Sequence, residues 1–435
     1  MLKRLDLRGR GPDFRGILPR PNLVDEGPVA EVRAIVDDVR MRGDAALREY
    51  TARFDRVDLD EIRVPASEID SARGRLDPAL LRALTEAAEA IESFHRHRPA
   101  NPGTFERNGI SVDLLELPVA RAGVYVPGGL ASYPSSVLMT AIPARVAGVG
   151  AVAVCVPPGP DGAIPAEVLA AASLAGVDEL YRVGGPQAIA AMAYGTETVA
   201  RVDVIVGPGS RRVSLAKLEV RTAVGMPASF AGPSEVVVIA DESVPVDYVA
   251  IDLVVQAEHG PDGLAWLITW SEPVLNAVTA AVASLVEQSP RRAAIEATLA
   301  GGGYAVLVDG PETAMAVSNE IAPEHLEICC ENPRAMIPLV RNAGAVFLGP
   351  YAPASLGDYI AGPSHTLPAG GTGASFAGLT VDQFQRRTSL VQYDKPAVKK
   401  AWRAVRKFSE VEGLAAHAWS AQLRLGLRPG LAARD

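Results

Sequence analysis

From about residue 120 to 350, short runs rich in β-branched residues alternate with longer segments of helical period. Few architectures bury both kinds of segment, and the alternation predicts a parallel sheet covered by helices. The strand candidates are "GVYVPG", "AVAVCVPP", "ELYRV", "DVIVG", "EVVVIA", "AWLITW", "AVLV" and "AVFLG". These are many strands for one sheet. The expected fold class is therefore α/β with two doubly wound, Rossmann-like units, and the Gly207-Pro208 and Gly232-Pro233 pairs are places where the chain can pass between them.

The flanks read as helical. "VAEVRAIVDDVRMRGDAALREYTARF" carries an apolar stripe at helical spacing, and Asp77-Pro78 has the form of an N-cap followed by proline at the first helical position. After residue 379 a second helical region ends in "PAVKKAWRAVRKFSEVEGLAAHAWSAQLRLG". No internal repeat is present, and "PAGGTGASFAG" is the one low-complexity loop.

Composition narrows the partners. At 435 residues, 48% hydrophobic and 21% charged, the chain can bury a sizeable core. A net charge of −9 argues against a nucleic-acid partner, which needs a Lys/Arg surplus, and favours small molecules. Cys155, Cys329 and Cys330 lie in apolar strand-like runs, as buried thiols of a reduced compartment would. "MLKRLDLRGR" lacks the apolar core of a signal peptide and no run is long enough to span a bilayer, so a cytoplasmic location and no membrane partner are expected.

Six histidines carry most of the chemical information. His95 and His97, in "FHRHRP", read as a solvated basic helix end. In "DLVVQAEHGPDG" a helix from about Val246 should stop at Gly260-Pro261. Gln256 and His259 then share a face of its last turn, either as two ligands to one ion or with His259 simply meeting the helix dipole. In "SLGDYIAGPSHTLPAGG", Asp358 and His365 could complete a zinc site or grip a polar substrate, although Asp in "GDY" is also a common turn residue. Glu412 and His417 would diverge on one straight helix, and a break at Gly413 lets them converge; a surface Glu and a half-buried His is the alternative. In "NEIAPEHLEICC", Glu324 and His325 stand side by side in an apolar frame. The one Gly-x-Gly-x-x-Ala match, Gly148 to Ala153, precedes a strand and so has the wrong context for a dinucleotide fingerprint.

Together these motifs resemble the histidinol dehydrogenase family. The likeness runs through "VRMRGDAALREYTARFD", "RAGVYVPGGLASYPSSVLM", "GGPQAIAAMAYGTETV", "GPSEVVVIAD", "QAEHGPD", "EIAPEHLEI", "SLGDYIAGPSHTLPAGGTG" and "EGLAAHAWSAQLRL", spanning nearly the whole chain. It implies a zinc-dependent, NAD-linked oxidation of L-histidinol to L-histidine through L-histidinal. Glu324 and His325 would be catalytic, and Gln256, His259, Asp358 and His417 would bind Zn²⁺. Substrate contacts would come from Ser234, Gln256, His259, His325, Asp358, His365, Glu412 and His417, and NAD contacts from Tyr125, Gln187 and Ser210.

The resemblance also implies a homodimer whose C-terminal segment reaches the partner's site. The layout that follows is an N-terminal extension (1–26), a main α/β domain carrying catalytic and metal residues (27–123 and 235–378), a second α/β domain (124–234) and a C-terminal helical segment (379–435). Three positions depart from the family pattern: Ser210 and Ser364 stand where asparagine is usual, and Ala354 where many members have glutamate. Two other activities fit the residue types: a paralogous dehydrogenase of another amino alcohol or diol, and a zinc hydrolase with a Glu base.

Overall fold

The structure is a computed structural model and describes residues 1–11, 13–19, 28–98, 103–128, 131–227, 234–258, 260 and 263–428. In chain order it begins with β1 (Lys3–Asp6), α1 (Val29–Arg42), α2 (Asp44–Phe54), α3 (Ala66–Ser71), α4 (Pro78–Arg96), β2 (Phe105–Arg107), β3 (Ile110–Pro118) and β4 (Arg121–Tyr125). It continues through α5 (Pro134–Val146), β5 (Ala151–Val156), α6 (Ala166–Leu174), β6 (Glu179–Arg182), α7 (Gly185–Tyr194), β7 (Val204–Val206), α8 (Arg211–Val220), β8 (Glu235–Ala240) and α9 (Val246–Ala257). Then come β9 (Leu264–Thr269), α10 (Glu272–Gln288), α11 (Arg292–Gly302), β10 (Gly303–Leu307), α12 (Pro311–Ile321), β11 (His325–Cys329), α13 (Pro333–Met336) and β12 (Ala345–Leu348). The last elements are α14 (Ala354–Tyr359), β13 (Gln385–Tyr393), α15 (Lys395–Glu412) and α16 (Ala415–Arg424). No described helix is long and apolar enough to cross a membrane.

The chain divides into two units, residues 1–97 with 118–384, and residues 98–117 with 385–435. The first holds two parallel sheets. One has the order β1-β10-β9-β8-β11-β12 and the other β6-β5-β4-β7. Every residue of β8 and β9 is buried, which is why "EVVVIA" and "AWLITW" read as unbroken apolar runs: helices cover both faces of each sheet. In the six-stranded sheet α9, α10 and α11 pack on one face and α12 on the other. The four-stranded sheet has α4, α5 and α6 on one face and α1, α2, α7 and α8 on the other. Both sheets are thus doubly wound, as the alternation predicts.

Local expectations meet the structure unevenly. The Asp77 carboxylate accepts hydrogen bonds from the Ala79 and Leu80 N–H groups at 3.0 and 3.1 Å, with Pro78 opening α4. The single N-terminal stripe is two helices, because Gly43, at φ +57°, breaks it between α1 and α2. His95 is not solvated. It is 2% exposed, and burial lowers its pKa to about 4. The apolar face of α4 continues through it, whereas His97 is exposed. All three cysteines are buried and free.

The expected domain layout is redrawn. Helices α1, α2 and α4 pack on the four-stranded sheet, not with residues 235–378, and β1, from the supposed extension, pairs with β10 in the six-stranded sheet. An amphipathic stripe says that a face is covered but not by which sheet. Residues 385–393 are a strand, paired with β3 in a three-stranded sheet β13-β3-β2, so the second unit is not purely helical. The eight strand candidates also omit β11, whose "HLEIC" places a histidine and a glutamate among apolar residues.

Candidate active site

Glu324 and His325 sit at the amino end of β11, between β8 and β12. Alternation along β11 directs His325, Glu327 and Cys329 to the face covered by α9, and Leu326, Ile328 and Cys330 to the core under α12. The register His325↔Val236 brings the pair beside the start of β8. There the Glu235 N–H donates to Glu324 Oε2 at 3.0 Å, while the Glu235 carbonyl lies 3.2 Å from His325 Nδ1. Ser234, half-buried, immediately precedes this residue.

Charge surrounds the imidazole. Glu324 Oε2 lies 3.7 Å from His325 Nδ1, and Asp358 Oδ1 lies 3.4 Å from Nε2. Burial pushes the Glu324 carboxyl up to about 7, with His325 partly offsetting it. For His325, burial acts downward, but Glu324 and Asp358 outweigh it and raise the imidazole to about 9. Asp358 gets within reach because Gly357 lies against the Phe347 ring: a Cβ there would stand 2.5 Å from Phe347 Cε1. A larger residue there would require the Phe347 ring or α14 to shift.

His365 follows in the next loop. Its Nδ1 is 3.0 Å from the Asp358 carbonyl and its Nε2 is 3.3 Å from Ser136 Oγ. A carbonyl only accepts, so the His365 Nδ1–H donates to the Asp358 carbonyl, while Nε2 meets the Ser136 hydroxyl. Ser136 belongs to the first turn of α5, on the four-stranded sheet, so this contact spans the two sheets of the first unit. Sequence reasoning missed Ser136; its signal was a glycine-containing loop, "VPGG", leading from a strand to a helix start.

The other expected contacts form a second cluster. Tyr125 ends β4, Ser210 precedes α8 after β7, and Gln187 lies in the first turn of α7. Strands β4 and β7 are the adjacent pair at which the winding of this sheet reverses, and ligands of doubly wound sheets bind at the carboxyl ends of such strands. The Tyr125 hydroxyl accepts from the Gly185 N–H at 3.1 Å, which fixes the start of α7. Gln187 is 1% exposed with Oε1 lacking a partner, whereas Ser210 is exposed. Glu324 and His325, by contrast, occupy the amino edge of their sheet.

Among residues that could hold a metal, Gln256 lies in the last turn of α9, 4% exposed, with Nε2 lacking a hydrogen-bond partner. An orphaned buried amide on α9, the helix that covers the His325 face of the sheet, fits a ligand better than a core residue. His259 lies outside the described residues. Glu412 ends α15 and His417 lies in the first turn of α16, with Gly413 at φ +69° between them, so the helix does break there. Both side chains are exposed and belong to the second unit. Among the described residues no group of three or more His, Cys, Asp or Glu side chains is gathered in metal-binding geometry.

Comparison with known proteins bears on this site. A family model described as histidinol dehydrogenase matches residues 18–425. A histidinol dehydrogenase of Synechococcus sp. is 47% identical over 398 residues, covering 91% of this chain and 92% of the relative. One from Gluconobacter oxydans is 44% identical over 430 residues, covering 98% and 99%. The crystal structure of histidinol dehydrogenase from Elizabethkingia anophelis superposes with a TM-score of 0.93 at 34% identity, covering 98% of each chain.

Proposed function

Because this chain belongs to the histidinol dehydrogenase family, we propose that it oxidises L-histidinol to L-histidine through L-histidinal, with Zn²⁺ and NAD. The observation that carries this reading is the buried Glu324–His325 pair, with the Asp358 carboxylate 3.4 Å from the imidazole. When bound, zinc would hold the nitrogens of the substrate and NAD would accept two hydrides in turn. The ion would be held by Gln256, His259, Asp358 and His417, a nitrogen and oxygen set that suits it.

His325 would take the hydroxyl proton in the first oxidation through its neutral form, which Glu324 and Asp358 make a stronger base by raising its pKa to about 9. In the second, the aldehyde must be hydrated. Glu324 would draw the proton from water, and a pKa near 7 suits a base working at neutral pH. The Glu235 N–H keeps its carboxylate turned toward the imidazole. Substrate would be gripped by Ser234, Gln256, His259, His325, Asp358, His365, Glu412 and His417, and NAD by Tyr125, Gln187 and Ser210 across the contact between His365 and Ser136. Glu412 and His417 would come from a second copy of the chain, in a homodimer.

The test is NADH counted per histidinol consumed. Two NADH with little free aldehyde is the expected result. One NADH, with histidinal accumulating in solution, would overturn the reading.

A further inference from the structure

The chemistry above leaves one pair of acids, buried Glu327 and half-buried Asp252, unused. Glu327 follows His325 by two positions on β11, projects from the same face of the sheet, and is 1% exposed. Its Oε1 accepts from the N–H of Ala354, the first residue of α14, at 2.8 Å. Among the described residues no donor reaches Oε2. What faces Glu327 is another carboxyl, that of half-buried Asp252 on α9. Two buried carboxylates repel, but with one proton between them one becomes a donor and the other an acceptor, which satisfies the orphaned oxygen. Burial pushes both groups up, and at Glu327 the charge of Asp252 adds to it, the direction in which such a proton is retained.

The elements joined by this contact are those that bear the site. Helix α9 carries Gln256 one turn beyond Asp252, β11 carries His325, and α14 carries Asp358 one turn beyond Ala354. A crossover helix runs antiparallel to its strands; four helical residues advance about 6 Å and two strand residues about 6.6 Å. Fixing Asp252 against Glu327 therefore sets Gln256 level with His325. We propose that the Asp252–Glu327 pair is a positioning device that locks α9, β11 and α14 in register, so that Gln256 and Asp358 are held as a preformed half of a cation site beside the catalytic His325. The proposal rests on the reading of Gln256 and Asp358 as zinc ligands. Neither acid is among the residues assigned to substrate or metal.

The experiment compares zinc affinity, by competition with a chromophoric chelator, in wild type and in Glu327→Leu, Asp252→Leu and Asp252→Asn. Groups that orient metal ligands directly account for about 10–100-fold in affinity, and a pair acting one step further out should reach the lower end, so both leucine variants should lose roughly 10-fold, while Asp252→Asn, whose amide can donate in place of the shared proton, should stay within about threefold of wild type. If Glu327→Leu does not fold, the half-buried Asp252→Leu carries the comparison. Folded leucine variants with unchanged zinc affinity would overturn the proposal, as would Asp252→Asn losing as much as Asp252→Leu. If wild type itself takes up no zinc, the functional reading falls, and the pair is judged by amide exchange over residues 354–359. Faster exchange in Asp252→Leu than in Asp252→Asn would uphold the register lock, and equal exchange would refute it.

Discussion

At the scale of single residues, two buried ionisable side chains show environment setting behaviour in opposite directions. Glu324 gains a pKa near 7 from burial, so it is an effective base only once deprotonated. The rate on histidinal supplied directly should therefore rise with pH through about 7, and Glu324→Gln should flatten that profile. General bases contribute roughly 10²- to 10⁴-fold, and only the second oxidation needs activated water. Glu324→Gln should lose that order on histidinal while losing much less on histidinol; equal losses would contradict the division of labour. His325→Ala should impair both steps.

His95, in the core, gives a stability prediction. Its folded pKa, about 4, lies below the ordinary 6.5, so between these values the unfolded chain binds the extra proton. Stability contributed by the neutral ring is present above pH 6.5 and is lost as pH falls toward 4. His95→Leu removes this dependence. Relative to wild type it should gain roughly 2 kcal/mol between pH 7 and pH 5, read from denaturant midpoints at the two values.

At the scale of elements, the turn after β7 illustrates how closely backbone must approach to build the second cluster. Gly207 has φ +105°, and a Cβ there would lie 2.1 Å from the Tyr125 carbonyl oxygen. Beneath it Lys217, 4% exposed, donates to the Gly207 carbonyl, and burial lowers its amine to about 8. Gly207→Ala combines a forbidden backbone region with a clash against main chain. It should cost about 3 kcal/mol or more, and the surviving folded fraction should bind NAD weakly, measurable by protein fluorescence titration. Wild-type stability in that variant would mean that the turn relaxes without disturbing Tyr125.

At the scale of the whole molecule, the second unit exposes Leu390, Val391, Phe408, Val411, Trp419 and Leu423. Exposed apolar side chains in such number on one small unit suit burial against another surface, which the homodimer proposed above would provide. If a second copy supplies Glu412 and His417, monomers should be inactive. Mixing His325→Ala chains with His417→Ala chains should then restore activity, because in a mixed dimer one site collects both lesions and the other neither. Return toward half of wild-type activity per mixed dimer is the expected outcome, and proven subunit exchange without recovery would rule out the crossover. Chelation should abolish activity and Zn²⁺ restore it, with His259→Ala and His417→Ala each binding far less metal than wild type.

The sequence by itself determined the elements whose signals are local. Unbroken apolar runs identified most of the parallel strands, Asp77-Pro78 located the start of α4, and Gly413 marked a true break between Glu412 and His417. The motif strings carried the family membership, and with it the expected site residues. Only tertiary structure decided which sheet each N-terminal helix covers, since an apolar stripe is the same whichever partner buries it. Only tertiary structure, too, could place the His325 and Glu327 of "HLEIC" in a sheet interior and bury His95, because burial belongs to neighbours remote in sequence. For the same reason Ser136 and His365, 229 positions apart, give no sign of each other in the chain. Nor does the pairing of Asp252 with Glu327, for a contact between two acids arises only where packing removes the water that would otherwise keep them apart.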